Sequence, residues 1–313
     1  MPRHFIELFD LQAHEVRHLL DSALDLKRRG ARGLREPLLP GRMLGLVFDK
    51  PSMRTRISFE AAMAHLGGST VYMTGKDVGL GVREPLTDFA RVVSQYVDAL
   101  AIRTFSQDLI AELALHAEVP VINALSDSDH PCQAMSDLLT IREALGGLEG
   151  VSLAFVGDGN NVARSLAVAS ALAGMRFILA CPRGYHFPDE FCRRFASHFP
   201  GLPLRETNDP AEAVSGADVV YTDVWTSMGQ EDEAEIRRST FVPYRVDSSL
   251  MSRARPNAIF LHCLPAHRGE EVTPEVIDGP QSLIVQQAAN RLHFQKALLL
   301  HLIQQDSEPI HQG

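Results

Sequence analysis

The sequence predicts an α/β protein with two domains, each a parallel β-sheet flanked by helices, and an active site in the cleft between the domains. Apolar runs of strand length alternate with amphipathic segments of helix length along the chain, as in parallel sheets whose faces are covered by helices. Polar residues able to do chemistry follow nearly every predicted strand, and ligands of open α/β sheets bind at the carboxyl ends of strands.

Length and glycine placement predict the domain boundaries. The 313 residues fit two domains of ordinary size, and Gly146-Gly147 separates two α/β halves. We expect a first domain over 1–146, a second over 147–283, and a closing segment over 284–313.

Charge and cysteine usage exclude several classes of protein. There are 30 Lys and Arg against 39 Asp and Glu, a net charge of −9, which argues against binding to nucleic acid or to an anionic membrane. No apolar run reaches the length of a membrane span, and residues 1–10 lack the apolar core of a targeting peptide. The four cysteines are scattered without metal-like pairing, which suits a reducing compartment. We expect a cytoplasmic protein.

Each expected element follows from a simple pattern. Continuous apolar runs predict buried strands, apolar residues three or four positions apart predict helices, and Ser, Pro and Gly mark their ends. In the first domain these rules give helix 11–29, strand 43–49, helix 52–66, strand 69–73, helix 86–97, strand 99–102, helix 106–117, strand 119–123 and helix 131–145. In the second half they give strand 151–156, helix 161–173, strand 177–181, helices 188–199 and 210–215, strands 218–222 and 258–262, and helix 284–304. Residues 74–85 and 223–245 are expected to be loops.

The first strand leads into a segment that suits a phosphate. Residues 43–48 are apolar, Pro51 favours an extended residue before it, and Ser52 is a good N-cap for the helix that follows. A helix start offers N–H groups and the positive end of the dipole. A solvated first turn is the ordinary alternative, but Arg54 and Arg56 are unfavourable beside that positive end unless an anion is bound.

Two further stretches of the first domain offer hydrogen-bond donors. His130 and Gln133 lie about one turn apart at a predicted helix start, and both can donate to an oxygen. A capping turn with a structural His is the alternative. Arg103 directly follows a strand predicted to be buried, and a buried Arg needs an anion or a carboxylate.

Residues 156–163 match a dinucleotide fingerprint only weakly. Val162 occupies the third glycine position, and the next strand ends in Cys181-Pro182-Arg183, which has no acid for a ribose. Asn160 and Asn161 instead offer amides at a helix start. A nicotinamide cofactor is therefore not expected.

Two strand ends of the second domain carry an acid and a thiol. Asp223 opens a loop that holds Ser227 and the only Trp of the chain, Trp225, and such a loop suits an amino acid that carries an amine. Core packing is the alternative for Trp225. Cys263 follows another strand and is either a covalent nucleophile or a polar group near the reacting centre. Arg291 alone would be an ordinary surface charge on the last helix.

Four motifs, in this order, resemble those of the transcarbamoylases, the aspartate/ornithine carbamoyltransferase family. They are Ser52-Met53-Arg54-Thr55-Arg56, His130-Pro131-Cys132-Gln133, Asp223-Val224-Trp225-Thr226-Ser227-Met228-Gly229 and His262-Cys263-Leu264-Pro265. The last two resemble the members that use ornithine. The resemblance spans essentially the whole chain, and it is specific because all four motifs occur in order at comparable spacing.

The resemblance implies a reaction. The ornithine branch of the family transfers the carbamoyl group of carbamoyl phosphate to the δ-amine of L-ornithine, which gives L-citrulline and phosphate and serves arginine biosynthesis. We expect this transferase activity, without a cofactor or metal, in a homotrimer or an assembly of trimers. The first domain would bind carbamoyl phosphate, the second would bind ornithine, and the closing helix would return to the first domain.

The resemblance also implies roles for individual residues. Carbamoyl phosphate would be held by Ser52, Met53, Arg54, Thr55, Arg103, His130, Gln133, Cys263, Leu264 and Arg291. Ornithine would be held by Asn161, Asp223, Ser227 and Met228. The expected catalytic residues are Arg103, His130, Cys263 and Asp223. The Leu264–Pro265 peptide is expected to be cis, and the loop 74–85 to reach a neighbouring subunit.

Several alternatives stay open at this point. Another acceptor, such as putrescine, an N-acylated ornithine or aspartate, would need a different acceptor site, and the 223–229 loop lacks the cations that aspartate would need. A thiol hydrolase would use Cys263 as its nucleophile, and a phosphate-sensing or scaffold protein would keep the fold without turnover. The chain departs from the family pattern at Met53, where many relatives have Thr, and at Asp77, where relatives often have Gln. The sequence leaves open whether the reaction serves synthesis or catabolism.

Overall fold

The chain forms two compact units. The computed structural model describes residues 2–80, 83–227, 229 and 231–305, without the side chains at 76, 77 and 305. The first unit comprises the chain up to Met135 together with the chain from Arg291 onward, and the second unit comprises Ser136–Asn290. Helices α6 (Pro131–Leu145) and α13 (Ile284–Gln305) contribute to both units. The assignment of domains at 1–146, 147–283 and 284–313 stays a prediction.

A four-stranded parallel sheet, ordered β2-β1-β3-β4, is the centre of the first unit. Its strands are β1 (Met43–Phe48), β2 (Ser69–Thr74), β3 (Ala99–Arg103) and β4 (Val121–Leu125), and its remaining helices are α1 (Ala13–Ala31), α2 (Met53–His65), α3 (Gly75–Val78), α4 (Leu86–Val93) and α5 (Gln107–His116). In the pairing of β1 with β3, Phe48 lies opposite Arg103. The residues that follow these two strands therefore start at the same edge of the sheet.

The core of the first unit explains why these segments are apolar. Val47 of β1 and Leu100 and Ile102 of β3 pack with Phe89 and Val93 of α4 in one buried cluster. Phe89 and Val93 are four residues apart and so lie on one face of their helix. Burial on both faces accounts for the almost continuous apolar runs of the two central strands.

The second unit is built around a five-stranded parallel sheet, ordered β7-β6-β5-β8-β9. Its strands are β5 (Ser152–Val156), β6 (Arg176–Ala180), β7 (Arg205–Thr207), β8 (Val219–Thr222) and β9 (Ile259–His262), and its remaining helices are α7 (Asn161–Leu172), α8 (Asp189–His198), α9 (Pro210–Val214), α10 (Ala234–Phe241), α11 (Ser248–Met251) and α12 (Pro274–Ile277). Thr222 pairs with Val156 on one side and with His262 on the other. Three neighbouring strands therefore end together.

Two predicted loops contain helices, so those predictions were wrong. Helix α3 lies within 74–85, and α10 lies within 223–245 between short 3-10 turns. The polar sequence of α10 hides its amphipathic character, because a charged residue, Arg237, is on the buried face with Phe241 while Ile236 is 65% exposed. The acids at 231–235 favour a helix start there and were the available signal.

Among the described residues, the structure also contains short elements that the sequence did not predict, such as β7, α11 and α12. Strand β7 has three polar residues at the edge of its sheet, where little hydrophobic pattern is needed. None of the four cysteines forms a disulfide. Within the described ranges, no helix has the length and apolar character that a membrane span requires.

Candidate active site

The start of α2 gathers two hydroxyls and a guanidinium. Ser52 is the N-cap, and its Oγ accepts a hydrogen bond from the backbone N–H of Thr55 at 3.3 Å. The hydroxyls of Ser52 and Thr55 are 3.1 Å apart. Arg291, which is 3% exposed, donates from Nη2 to Thr55 Oγ1 at 2.7 Å. The first helical turn after β1 therefore carries positive charge and donors, as an anion site requires.

Arg103 and His130 share this electrostatic environment. They are 6% and 5% exposed. Burial lowers the pKa of His130 well below its ordinary value, and the positive charges of Arg291 and Arg103 lower it further. His130 is therefore a neutral imidazole at neutral pH. We call Ser52, Thr55, Arg103, His130 and Arg291 the cationic cluster; it suits an anion with a neighbouring polar oxygen.

Three other predicted residues of the first unit lie next to this cluster in the chain. Gln133 is buried in the first turn of α6, and its backbone N–H donates to the carbonyl of His130 at 3.1 Å. Arg54 is half-buried and Met53 is 67% exposed, both in the first turn of α2. Their contacts with a ligand stay predictions. The side chain of Asp77 lies outside the described residues.

In the second unit, a carboxylate meets a thiol. Asp223 Oδ1 accepts a hydrogen bond from Cys263 Sγ at 3.0 Å and another from the backbone N–H of Val224 at 2.8 Å. Its Oδ2 accepts from Asn160 Nδ2 at 2.9 Å. We call Asn160, Asp223 and Cys263 the carboxylate–thiol cluster. Its members follow β5, β8 and β9, the three strands that end together.

The Cys263 thiol is held in its neutral form. Burial raises its pKa well above the ordinary value, and the negative charge of Asp223 raises it further. A protonated thiol is a donor to Asp223, whereas a nucleophile must be a thiolate. This geometry argues against the thiol hydrolase alternative.

The backbone after β9 is fixed by a buried His–Glu pair. His262 Nδ1 accepts from the N–H of Leu264 at 2.9 Å, so Nδ1 carries no proton. The proton is on Nε2, which donates to Glu271 Oε1 at 3.2 Å. Leu264 has a φ of 61°, and the Leu264–Pro265 peptide is cis, as expected. The pair thus holds Cys263 and Leu264 in one conformation.

Comparisons with known proteins match both halves of the chain to one family. The carbamoyl-P binding domain of the aspartate/ornithine carbamoyltransferases matches residues 3–143, and their Asp/Orn binding domain matches residues 149–302. The chain belongs to the aspartate/ornithine carbamoyltransferase family.

Individual carbamoyltransferases are similar over nearly the whole chain. The ornithine carbamoyltransferase of Anoxybacillus flavithermus is 50% identical over 304 residues, 96% of each chain. That of Acidothermus cellulolyticus is 52% identical over 305 residues, 97% of each chain. The solved ornithine carbamoyltransferase of Pyrococcus furiosus has a TM-score of 0.94 at 46% identity and covers 97% of each chain. That of Thermus thermophilus has a TM-score of 0.87 at 44% identity and covers 97% of this chain and 99% of its own.

Three other residues were predicted to bind the acceptor together with Asp223, namely Asn161, Ser227 and Met228, and they are not part of the carboxylate–thiol cluster. Asn161 begins α7, and its Oδ1 accepts from the N–H of Val162 at 2.9 Å. It is the neighbouring N-cap, Asn160, that contacts Asp223. Ser227 is half-buried in the loop after β8, and Met228 lies outside the described residues. Contacts of Asn161, Ser227 and Met228 with ornithine stay predictions.

Sequence reasoning missed some residues that support the 223–229 loop after β8. Arg237 Nη1 donates to Asp158 Oδ2 at 2.6 Å and to the carbonyl of Trp225 at 3.2 Å. Trp225 is buried in the core against Phe241, so the packing alternative is correct for it. Glu271 was missed because nothing in its local sequence marks it as buried. The Asn160-Asn161 pair at a helix start was the available signal for Asn160.

Two groups of residues bear on metal and cofactor binding. Ligand atoms of Asp223, His262 and Cys263 lie within 4.8 Å of one another, and these are ligand types that zinc accepts. Both ring nitrogens of His262 and the thiol are nevertheless engaged in the hydrogen bonds described above. In the fingerprint-like segment, a Cβ at Gly159 would lie 2.9 Å from the backbone of His186. Close packing therefore accounts for that glycine.

Proposed function

We propose that this protein is an ornithine carbamoyltransferase that converts carbamoyl phosphate and L-ornithine to L-citrulline and phosphate. The observation that carries the choice of acceptor is the contact between Asp223 and the neutral Cys263 thiol. A carboxylate that faces an amine favours a cationic acceptor over aspartate. Relatives about half identical over the whole chain are ornithine carbamoyltransferases, which supports ornithine over putrescine or an N-acylated ornithine.

The cationic cluster is proposed to receive carbamoyl phosphate. Its ligands are Ser52, Met53, Arg54, Thr55, Arg103, His130, Gln133 and Arg291, with Cys263 and Leu264 contributing through the backbone. The start of α2 supplies N–H groups and a positive dipole end to the phosphate. Guanidinium groups add bidentate donors, which suit phosphate oxygens.

The carboxylate–thiol cluster is proposed to receive the δ-amine of ornithine, with Asn161, Asp223, Ser227 and Met228 as ligands. The amine must attack as a free base, although its unperturbed pKa is near that of lysine, about 10.4. Asp223 orients the amine and accepts from it, and Asn160 holds the second carboxylate oxygen in place.

The carbamoyl oxygen gains negative charge as the amine adds to the carbamoyl carbon. Arg103 and His130 are proposed to donate to it, and His130 can do so as a neutral imidazole. The carbon–oxygen bond to phosphate then breaks, the departing phosphate takes up the proton that the attacking nitrogen loses, and the phosphate remains an anion beside the start of α2. No enzyme-bound covalent intermediate is needed, so positioning supplies most of the rate enhancement.

A citrulline assay tests this proposal. Purified protein is mixed with carbamoyl phosphate and L-ornithine, and citrulline is measured colorimetrically for the wild type, for Arg54→Ala and for Arg91→Ala. Arg91 is an exposed arginine in the last turn of α4 and serves as the matched control. We expect citrulline from the wild type and the control but not from Arg54→Ala. A preference for putrescine, N-acetylornithine or aspartate in parallel assays would overturn the choice of ornithine.

The oligomer and cellular role are part of the same proposal. Exposed apolar side chains on the first unit support an interface with further copies of the chain, since Ile57 is 55% and Val71 is 39% exposed. A homotrimer is the assembly that the family resemblance implies. Light scattering coupled to size-exclusion chromatography measures the mass of the assembly, and Ile57→Glu is expected to lower that mass.

Cysteines that form no disulfide support a cytoplasmic location. Growth of an arginine auxotroph that lacks this activity, once supplied with the chain, would support a role in arginine biosynthesis.

A further inference from the structure

A buried polar network lies beneath the carboxylate–thiol cluster in the second unit. Asp137 of α6, Tyr221 of β8 and Gln287 of α13 are 0%, 0% and 1% exposed. The Tyr221 hydroxyl donates to Asp137 Oδ2 at 3.1 Å, and Gln287 Nε2 donates to Asp137 Oδ1 at 2.7 Å. Gln287 Nε2 also lies 3.1 Å from the Tyr221 hydroxyl. Each of the three side chains therefore contacts the other two.

The network reaches both strands that carry the cluster. Gln287 Oε1 accepts from the backbone N–H of His262 at 2.9 Å, directly before Cys263. Tyr221 precedes Asp223 by two residues in the chain, and its hydroxyl is near enough to the Cys263 thiol to influence the pKa of that thiol. The ring of Tyr221 is fixed because it stacks on Phe155 with a centroid distance of 5.4 Å. The network therefore ties α6 and α13 to the ends of β8 and β9.

We propose that Asp137, Tyr221 and Gln287 are positioning residues that hold the Cys263 thiol against Asp223 for the amine acceptor. This inference rests on the proposed function, because it assigns the network to acceptor binding. Burying a carboxylate is costly unless it is hydrogen-bonded. An apolar side chain could have filled the same space without a charge, so the presence of Asp137 needs another reason than packing. Asp137 lies close enough to the Cys263 thiol for its charge to raise the thiol pKa, which gives that buried charge a use.

The two ends of the network act on the thiol with opposite sign. The negative charge of Asp137 raises the pKa of Cys263, after the larger effects of burial and of Asp223. The Tyr221 hydroxyl lowers it, because its single proton can turn from Asp137 to a thiolate at Cys263. Asp137 thus helps to keep the thiol protonated. With a neutral thiol, Asp223 supplies the negative charge that the amine meets, and Cys263 remains its hydrogen-bond donor.

The rate of Cys263 alkylation by iodoacetamide tests this inference without any substrate. Only the thiolate reacts, so at a fixed pH below the thiol pKa the rate follows the thiolate fraction. The modified peptide is identified by mass spectrometry, which separates Cys263 from the other cysteines. The variants are Asp137→Asn and Tyr221→Phe, both close in size to the native residues.

Opposite changes in rate are expected. Asp137→Asn should alkylate on the order of tenfold faster than the wild type, because removal of a nearby like charge lowers the pKa of the Cys263 thiol. Tyr221→Phe should alkylate roughly tenfold more slowly, because the thiolate loses a donor. The matched control is Tyr244→Phe, which removes another largely buried hydroxyl of this unit, bonded to the carbonyl of Asn208 at 2.7 Å. The control rate should equal the wild-type rate.

Two results would overturn the inference. Mere loosening of the unit would speed alkylation in both variants, and a network with no influence would leave both rates unchanged. If Asp137→Asn does not fold, Tyr221→Phe is compared with the control Tyr244→Phe alone. Slower alkylation of Cys263 in Tyr221→Phe supports the inference, and equal rates in the two variants refute it. Failure of the proposed function is separate, because it would appear as absence of citrulline from wild-type protein whatever the alkylation rates.

Discussion

The cationic cluster and the carboxylate–thiol cluster use the same backbone arrangement with opposite charge. In each, a buried parallel strand ends beside a helix start, and a short polar side chain caps that helix: Ser52 caps α2 and Asn160 caps α7. In the first, arginines act on His130, and in the second, carboxylates act on Cys263. Burial keeps both titratable groups neutral, and the neighbouring charges, positive at His130 and negative at Cys263, act in the same direction.

This difference shows how one architecture can select two unlike substrates. The backbone supplies the location, at the carboxyl ends of parallel strands. The side chains supply the sign of the charge, so the first unit suits an anion and the second suits a cationic amine. If this division is correct, changes in one cluster should affect one substrate and leave binding of the other intact.

The largest expected effect is from Arg103→Met. Loss of a buried donor to the developing oxyanion should lower kcat/KM for carbamoyl phosphate on the order of 10²–10³-fold. Arg103→Lys should recover only part of this, because Lys lacks the bidentate geometry. Ornithine binding, measured by calorimetry, should be unchanged. Equal loss of both substrates would break the comparison between the clusters.

The converse change is Asp223→Asn, with a smaller expected effect. A hydrogen bond to a charged group is worth about 1.5–3 kcal/mol, so kcat/KM for ornithine should fall on the order of tenfold to a hundredfold. Binding of inorganic phosphate should persist, because the cationic cluster is intact. The control is Asp247→Asn, an N-cap of α11 elsewhere in the unit, which should keep the wild-type KM for ornithine. Loss of phosphate binding in Asp223→Asn would contradict the assignment.

A pH dependence follows from the neutral His130. Its pKa in the folded protein is below the unfolded value of 6.5, so the unfolded chain binds the extra proton first as the pH falls. Stability is therefore fully present above about pH 6.5 and declines below it, with a slope of up to about 1.4 kcal/mol per pH unit from this one group. Urea midpoints over a pH series measure the slope.

His130→Gln isolates the contribution of that side chain. Glutamine keeps hydrogen-bonding capacity but cannot take up a proton in this range. The variant should lose part of the acid-side slope, whereas His198→Gln, at an exposed position in α8, should retain all of it. Identical slopes in the wild type and in His130→Gln would mean that burial and the neighbouring cations do not keep His130 neutral.

The sequence predicted the parts of these clusters that depend on local rules. Ser52 could be placed because capping requires a particular side chain just before a helix, and Cys263 because it follows an apolar run. The alternating pattern was sufficient for the α/β class. The cis Leu264–Pro265 peptide came from the family resemblance and is confirmed.

Other contacts could not be predicted because their partners are distant in the chain. Thr55 and Arg291 are 236 residues apart, and Gln287 meets His262 from 25 residues away. Nothing in either local sequence specifies such a pairing, which is decided when helices pack on the sheet. Helix α10 was missed for a similar reason, since Arg237 is buried only because Asp158 and the carbonyl of Trp225 accept its hydrogen bonds.

The smallest expected effect distinguishes backbone from side chain within the cationic cluster. Met53 is 67% exposed, so the proposed phosphate contact at this position is through its backbone N–H. Met53→Ala should change KM for carbamoyl phosphate by less than about threefold, because alanine keeps that donor and favours the helix. Ser52→Ala removes the cap and should cost about 0.5–2 kcal/mol of stability as well as phosphate affinity. A large rise in KM for Met53→Ala would show that the side chain itself shapes the phosphate site.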